Sequence, residues 1–476
     1  MAPSFYFTIA ETIDRFRRKE ISPVEFVTSQ LGRAQSLQPK LNAFVHLDAE
    51  SAIARARQAE AAIFRGDSLQ PLHAIPITVK SCIDVAGWPC PAGSLLRKDY
   101  VPNTNAPLVT RLENAGAILL GNTNTPEFLM AYKTDNRVTG KTSNPWNLAH
   151  SAGGSSGGEA AAIASGSSMG GVGSDGGGSI RTPAHFCGIC GLKPTPGRIP
   201  ATGHFPPTGG AFTWLGVVGP MARTVGDLRV LFEVMAGLDV GDPLSAPVPL
   251  HADSSKNLQG LRVGILQSPA LGAATPETLQ AVQRAADLLS SQGFHVESFH
   301  LEKLDAALRL WWFFFGNVIG YLLRQSTNMQ ESQLSRMLCE FLEITEAEAP
   351  VTLDSFIAAC TERDTIRTDL LHQLRDTPIL LSPVSRAPAF PHHAGSYRAG
   401  DPYNYRDTMR FSQWLNLAGF PGLSLPLGHS AEGLPVNVQL IARPYQEDLL
   451  LNVAEVLERA RGPWQAPPDI EQAPSG

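Results

Sequence analysis

Ser151-Ala152-Gly153-Gly154-Ser155-Ser156-Gly157-Gly158-Glu159 opens a glycine-rich segment. It continues as Gly173-Ser174-Asp175-Gly176-Gly177-Gly178-Ser179-Ile180-Arg181 and closes at Phe186-Cys187-Gly188-Ile189-Cys190-Gly191-Leu192-Lys193-Pro194-Thr195. Glycine lets a backbone approach a ligand where a side chain would clash, so such clusters often mark chemistry done by the main chain. Three readings compete for this one. Gly171-Val172-Gly173-Ser174-Asp175-Gly176 matches a dinucleotide fingerprint, but Gly177, Gly178 and Pro183 follow where a helix should start. No Asp or Glu lies between Ile180 and Asp227 to hold a ribose.

Gly153-Gly154-Ser155-Ser156-Gly157 also fits a nucleophile elbow, which needs a strand running straight into the serine. Asn144-Pro145-Trp146-Asn147 precedes it instead, a turn, and nothing selects a base from His392, His393 or His429. The third reading is serine chemistry without histidine. Glycines before a serine let several N–H groups converge on one point, as an oxyanion hole requires, and Ser179 after Gly176, Gly177 and Gly178 fits. A lysine can serve as base only if its pKa falls well below about 10.4. Lys80 ends the apolar run Ala74-Ile75-Pro76-Ile77-Thr78-Val79, where burial would favour its neutral form. Lysine at a strand end more often snorkels, and serines among glycines more often make turns. Their joint occurrence reverses those odds.

Taken together, Lys80, the 153–158 loop, the 175–181 loop and Cys187 to Thr195 resemble the amidase signature family. The similarity is specific over about 74–225. Weaker echoes stand at Asn416 to Pro421 and at Gly433 to Leu440, leaving about 267–370 unanchored. The resemblance implies a Ser-cisSer-Lys triad of Ser179, Ser155 and Lys80, with the oxyanion hole at Gly176, Gly177, Gly178 and Ser179. Asp175 and Arg181 match positions that support the loop. It implies an α/β fold, a single large α/β/α domain over 1–476 with a twisted mixed β-sheet flanked by helices. No cofactor or metal is implied. Two departures are visible: Gly176 replaces the usual threonine or isoleucine, implying a looser loop, and Ser81 replaces an acidic residue.

The activity expected is hydrolysis of apolar or aryl amides, and also of carbamates (urethanes) and esters. That likens the chain to fatty acid amide hydrolases and aryl acylamidases more than to the glutaminase subunit of tRNA-dependent amidotransferases. Phe205 to Leu215 is apolar and lacks the Ser-Ser-Leu-Asp-Gln run usual in that glutaminase. Another alternative is a catalytically silent binding protein on the same scaffold, opposed by the intact triad. Candidate pocket residues are Leu129, Tyr132, Phe212, Trp214, Trp311 and Phe315. The run Trp311-Trp312-Phe313-Phe314-Phe315 reads first as a core helix and second as a pocket wall.

Composition bounds the rest. With 476 residues, 43% hydrophobic and 17% charged, the chain folds, since disorder needs low hydrophobicity and high net charge. A net charge of -6 gives no basic footprint for nucleic acid. Length alone suggests several domains, but no linker or repeat interrupts the alternation of helices and short apolar strands, which favours one. The most apolar run, Leu310 to Leu323, is shorter than the roughly 20 residues of a spanning helix, so no membrane span is expected. Six cysteines are too few for a disulfide scaffold, and a cytoplasmic monomer or homodimer acting on a small molecule is expected. Cys187 and Cys190 lack the second pair a metal site needs. His392 and His393 lie among prolines and glycine and read as loop.

Overall fold

The computed structural model describes residues 4–207, 210–250, 258–327 and 331–470. Thr208 and Gly209, part of the apolar stretch after Phe205, lie outside the described residues.

Local signals set the helices. Ser22 accepts the Glu25 N–H at 3.2 Å and Pro23 occupies the first turn, starting the helix Pro23–Leu41. The helix Ala49–Arg65 stops at Gly66, whose φ of +82° suits a residue without a Cβ. The same agreement holds for Pro107–Asn114, Pro276–Ser291 and Glu447–Arg461, which alternate with strands as the sequence predicts.

Eleven strands join in one sheet. From one edge they run Phe44–Leu47, Ile118–Thr123, Pro76–Lys80, Gly170–Asp175, Val217–Ala222 and Cys190–Lys193. The second half continues with Gly422–His429, Pro435–Ala442, Ile379–Pro383, Arg262–Gln267 and His295–His300. Pro76–Lys80 pairs in parallel with both neighbours, whereas Gly170–Asp175 pairs antiparallel with Val217–Ala222. The sheet is therefore mixed, and helices flank it.

Two features differ from the sequence reading. Gly170–Asp175, read as a loop, is a fully buried strand in the first half of the sheet. Its glycines make room: a Cβ on Gly171 would collide with the Glu159 carboxylate, and one on Gly173 would stand 2.8 Å from Met221 Sδ. A helix does follow the glycines, at Arg181–Cys187, with Pro183 inside its first turn. The dinucleotide reading therefore fails on the loop's own occupant rather than on a missing helix. The second feature is Leu304–Gln325, a 22-residue helical run longer than the apolar stretch read from sequence. By length and composition it could cross a membrane, yet 61% of its apolar window is buried inside the protein. At Phe313–Val318 it widens into a π-helical turn.

Candidate active site

Lys80 closes a strand whose five residues are all buried. Alternation puts Thr78 on the same face as Lys80, and register puts Thr123 of the next strand opposite it. Lys80 Nζ donates to Ser155 Oγ at 2.6 Å and to Ser174 Oγ at 3.0 Å. Ser155 follows a cis peptide after Gly154. A Cβ on Gly154 would press on the backbone of Ala131 and Lys133 at 2.8 Å, so the glycine admits the close approach. Thr125 Oγ1 donates to the Ser155 carbonyl at 2.9 Å, holding the loop from the other side.

Burial lowers the Lys80 ammonium to about 8, against the pull of Cys82, Asp175 and Glu159 nearby. Glu159, buried on the helix Gly157–Ala164, accepts from the Thr78 hydroxyl and, at 2.7 Å, from Thr123 Oγ1. Burial raises its carboxyl to about 7, the two hydroxyls and Lys80 opposing.

Ser179 lies at the end of the loop that leaves Gly170–Asp175. Ser155, Ser174 and Ser179 line one narrow cleft together with Gly176, Leu129, Met130, Phe212, Val217 and Phe315. Asp175 organises the loop. Its carboxylate accepts from the N–H groups of Gly178 at 2.7 Å and Ile180 at 3.1 Å, and from Arg181 Nε and Nη2 at 3.0 Å each. Burial alone would raise this carboxyl, but the Arg181 guanidinium, helped by Lys193 and the Ile180 N–H, holds it below the usual carboxylate range. A side chain of the protein thus occupies the place where a bound phosphate would sit, which disposes of the dinucleotide reading. Among the described residues, the N–H groups of Gly176, Gly177 and Ser179 have no protein acceptor, while Gly178 gives its own to Asp175.

Of the six predicted pocket residues, Leu129, Phe212 and Phe315 line this cleft and Tyr132, Trp214 and Trp311 do not. Tyr132 donates its hydroxyl to the Gly177 carbonyl at 2.7 Å. Trp214 packs edge-on to Phe314 and under the Arg363 guanidinium. Trp311 donates its indole N–H to the Gly176 carbonyl at 2.9 Å and stacks on Phe315 at 4.7 Å. The looseness implied by Gly176 is met by packing: a Cβ there would stand 3.3 Å from the Phe315 ring. Cys187 and Cys190 are buried free thiols that face different carbonyls, those of Ala152 and Arg223.

Three residues of the site escape a reading of the sequence. Ser174 is hidden inside a glycine-rich stretch that reads as loop. Glu159 carries a signal, being the one acid in a helix otherwise of glycine, alanine and isoleucine. His204 carries none. Its Nδ1–H donates to the Pro206 carbonyl at 2.9 Å, which leaves Nε2 as an acceptor without a protein partner in the cleft wall. Burial, with Lys80 adding to it and the Pro206 carbonyl opposing, lowers the imidazole to about 4 and keeps it neutral.

Known proteins share this arrangement of chain. The model of the family described as Amidase matches residues 25–451. The A-type component of glutamyl-tRNA(Gln) amidotransferase from Roseiflexus sp. (strain RS-1) is 34% identical, over 97% of this chain and 98% of that protein. Among solved structures, a 6-aminohexanoate cyclic dimer hydrolase complexed with substrate is 27% identical with a TM-score of 0.85, covering 98% of this chain and 100% of the other. A bacterial aryl acylamidase belonging to the amidase signature enzymes is 25% identical with a TM-score of 0.85, covering 96% and 97%.

Proposed function

The chain belongs to the amidase family, as an enzyme that hydrolyses amide C–N bonds, and on that premise we propose that it is a free-standing hydrolase of apolar or aryl amides. Carbamates and esters fall within its reach. One observation carries the reading: a fully buried lysine, lowered to about 8, donates to Ser155 at 2.6 Å in a cleft that Ser155 shares with Ser179. Neutral Lys80 takes the Ser155 proton, Ser155 takes the Ser179 proton, and Ser179 Oγ attacks the carbonyl carbon. The oxyanion is held by the N–H groups of Gly176, Gly177 and Ser179, a narrower set than expected because Gly178 is engaged with Asp175. The proton returns through Ser155 to the departing nitrogen, since an amine anion is a very poor leaving group. Water then hydrolyses the acyl-enzyme by the reverse relay. A carbamate enters the same hole and leaves a carbonate or carbamoyl ester on Ser179, according to which bond breaks.

Substrate class follows from the walls. Leu129, Met130, Phe212, Val217 and Phe315 are apolar, and the one charged residue lining the cleft, Asp175, is paired with Arg181. The charged ends of an amino acid therefore find no free counter-charge there among the described residues. A cytoplasmic setting suits the free cysteines, and a monomer or homodimer suffices for the chemistry.

A second reading, the glutaminase component of an amidotransferase, is favoured by the near full-length similarity to the Roseiflexus protein. It would require partner proteins. A panel of acyl anilides, an aryl carbamate, simple esters and glutamine separates the two. Turnover of anilides or the carbamate is expected; robust glutamine hydrolysis with neither of those would overturn the first reading.

A further inference from the structure

Trp311 lies outside the seryl cleft, on the helical run that the family resemblance leaves unanchored, yet it bonds directly to the glycine loop. Its indole Nε1–H donates to the Gly176 carbonyl at 2.9 Å. A trans peptide is planar, so the oxygen of residue 176 and the N–H of residue 177 point in opposite directions. Fixing the Gly176 carbonyl on the indole therefore aims the Gly177 N–H away from it. The next peptide is fixed at both ends: Tyr132 holds the Gly177 carbonyl at 2.7 Å, and Asp175 Oδ1 takes the Gly178 N–H at 2.7 Å. Between these anchors the Gly177 N–H is left without a protein acceptor among the described residues.

Packing makes the arrangement specific. A Cβ on Gly177 would collide with the Trp311 ring, so the glycine and the indole require each other. Trp311 is 1% exposed and stacks on Phe315 at 15° between ring planes. Phe315 in turn fills the space beside Gly176 and lines the cleft. Neighbouring Trp312 has the same donor on the same helix but sends it to Glu348 at 2.7 Å, away from the loop.

We propose that Trp311 is a positioning residue of the oxyanion hole, acting through the 176–177 peptide plane to aim the Gly177 N–H at the developing oxyanion. The proposal rests on the reading that the 176–179 amides hold that oxygen. A static wall residue would affect how substrate binds. A residue that aims a transition-state donor affects kcat and leaves KM nearly unchanged.

The test compares Trp311→Phe and Trp312→Phe with the unmodified enzyme, measuring kcat and KM on an acyl anilide and the inhibition constant of an aryl trifluoromethyl ketone, which forms a tetrahedral adduct with a serine. Misaiming one donor should cost less than the roughly 10²–10³ of deleting one, so Trp311→Phe should lower kcat by about tenfold and weaken the ketone by a similar factor. Trp312→Phe should leave both unchanged, which also reports that the helix tolerates losing an indole. A rise in KM at constant kcat and constant ketone affinity would overturn the proposal and make Trp311 a wall. If Trp311→Phe fails to fold, Trp311→His, which restores a ring N–H, is expected to keep the ketone affinity closer to that of the unmodified enzyme; ketone affinity lost in full in a folded Trp311→His protein would count against it. An active Ser179→Ala enzyme would overturn the underlying reading instead, which keeps the two failures distinct.

Discussion

The glycine loops at 153–158 and 175–181 and the aromatic helix at 304–325 are opposites in composition, one built from the smallest residues and the other from the largest. They are nevertheless halves of one structure. Gly176 and Gly177 are small where Phe315 and Trp311 are large, and each ring occupies the volume that a side chain on the loop would need. The difference teaches where the two kinds of information reside. The loops hold backbone groups that meet the reacting atoms. The helix supplies the packing that fixes which way those groups point.

Breaking the loop half should have the largest effect. Ser179→Ala is expected to abolish amide turnover, by about 10⁴-fold or more, measured as kcat on an acyl anilide. Lys80→Ala should be nearly as severe. Ser155→Ala should lose less, because solvent can relay a proton in its place. Wild-type-like rates in any of the three would break the relay.

Next comes the internal anion. Arg181 and Asp175 are fully buried and bonded to each other, so Asp175→Ala leaves an unpaired buried cation. A loss of about 3–5 kcal/mol in unfolding free energy is expected from denaturant titration. The sign with pH is fixed by the lowered Asp175 carboxyl: its contribution is present above the unfolded carboxylate pKa and is lost as pH falls below it. Gly177→Ala tests the seam between the two regions. Its Cβ meets the Trp311 ring and, at 2.8 Å, the Tyr132 hydroxyl, so a stability loss of about 1–3 kcal/mol is expected together with lower kcat.

The proton balance gives a smaller effect. Lys80 works as a base when neutral, so kcat/KM should rise with pH along a limb centred near 8 and fall as the ammonium forms below it. Around Lys80 stand Cys82, whose thiol burial pushes up, the Asp175–Arg181 pair, the neutral His204, and Glu159. Glu159 is the charge that substitution removes with least disturbance. Glu159→Gln should move the limb to lower pH, because the carboxylate favours the charged lysine; an unmoved limb would separate Glu159 from the relay. Smallest of all is the wall. Phe315→Leu should raise KM for aryl amides severalfold, whereas Trp214→Leu, outside the cleft, should change it little.

Legibility follows the range of the constraint. Ser155, Ser179 and Lys80 can be picked out because glycine clusters and an apolar strand ending in lysine are local patterns. The helix starts at Pro23 and Pro276 are readable for the same reason. Gly170–Asp175 does not read as a strand because its glycines answer to Glu159 and Met221, residues on other elements that make no mark in the strand's own sequence. Trp311 reads as core or wall because its partner, the Gly176 carbonyl, is distant in sequence. His204 is invisible for a related reason: only the fold brings it to the serines, through its bridge to Ile83 beyond Lys80.

Ser179 as the nucleophile is the claim on which the rest depends. Treating the full chain with a fluorophosphonate and locating the adduct by intact mass and peptide mapping tests it most directly. One adduct on the peptide containing Ser179, with loss of anilide hydrolysis in proportion to labelling, is the predicted result. An adduct on Ser155 or another residue with Ser179 unmodified, or full activity after complete labelling of Ser179, would contradict it.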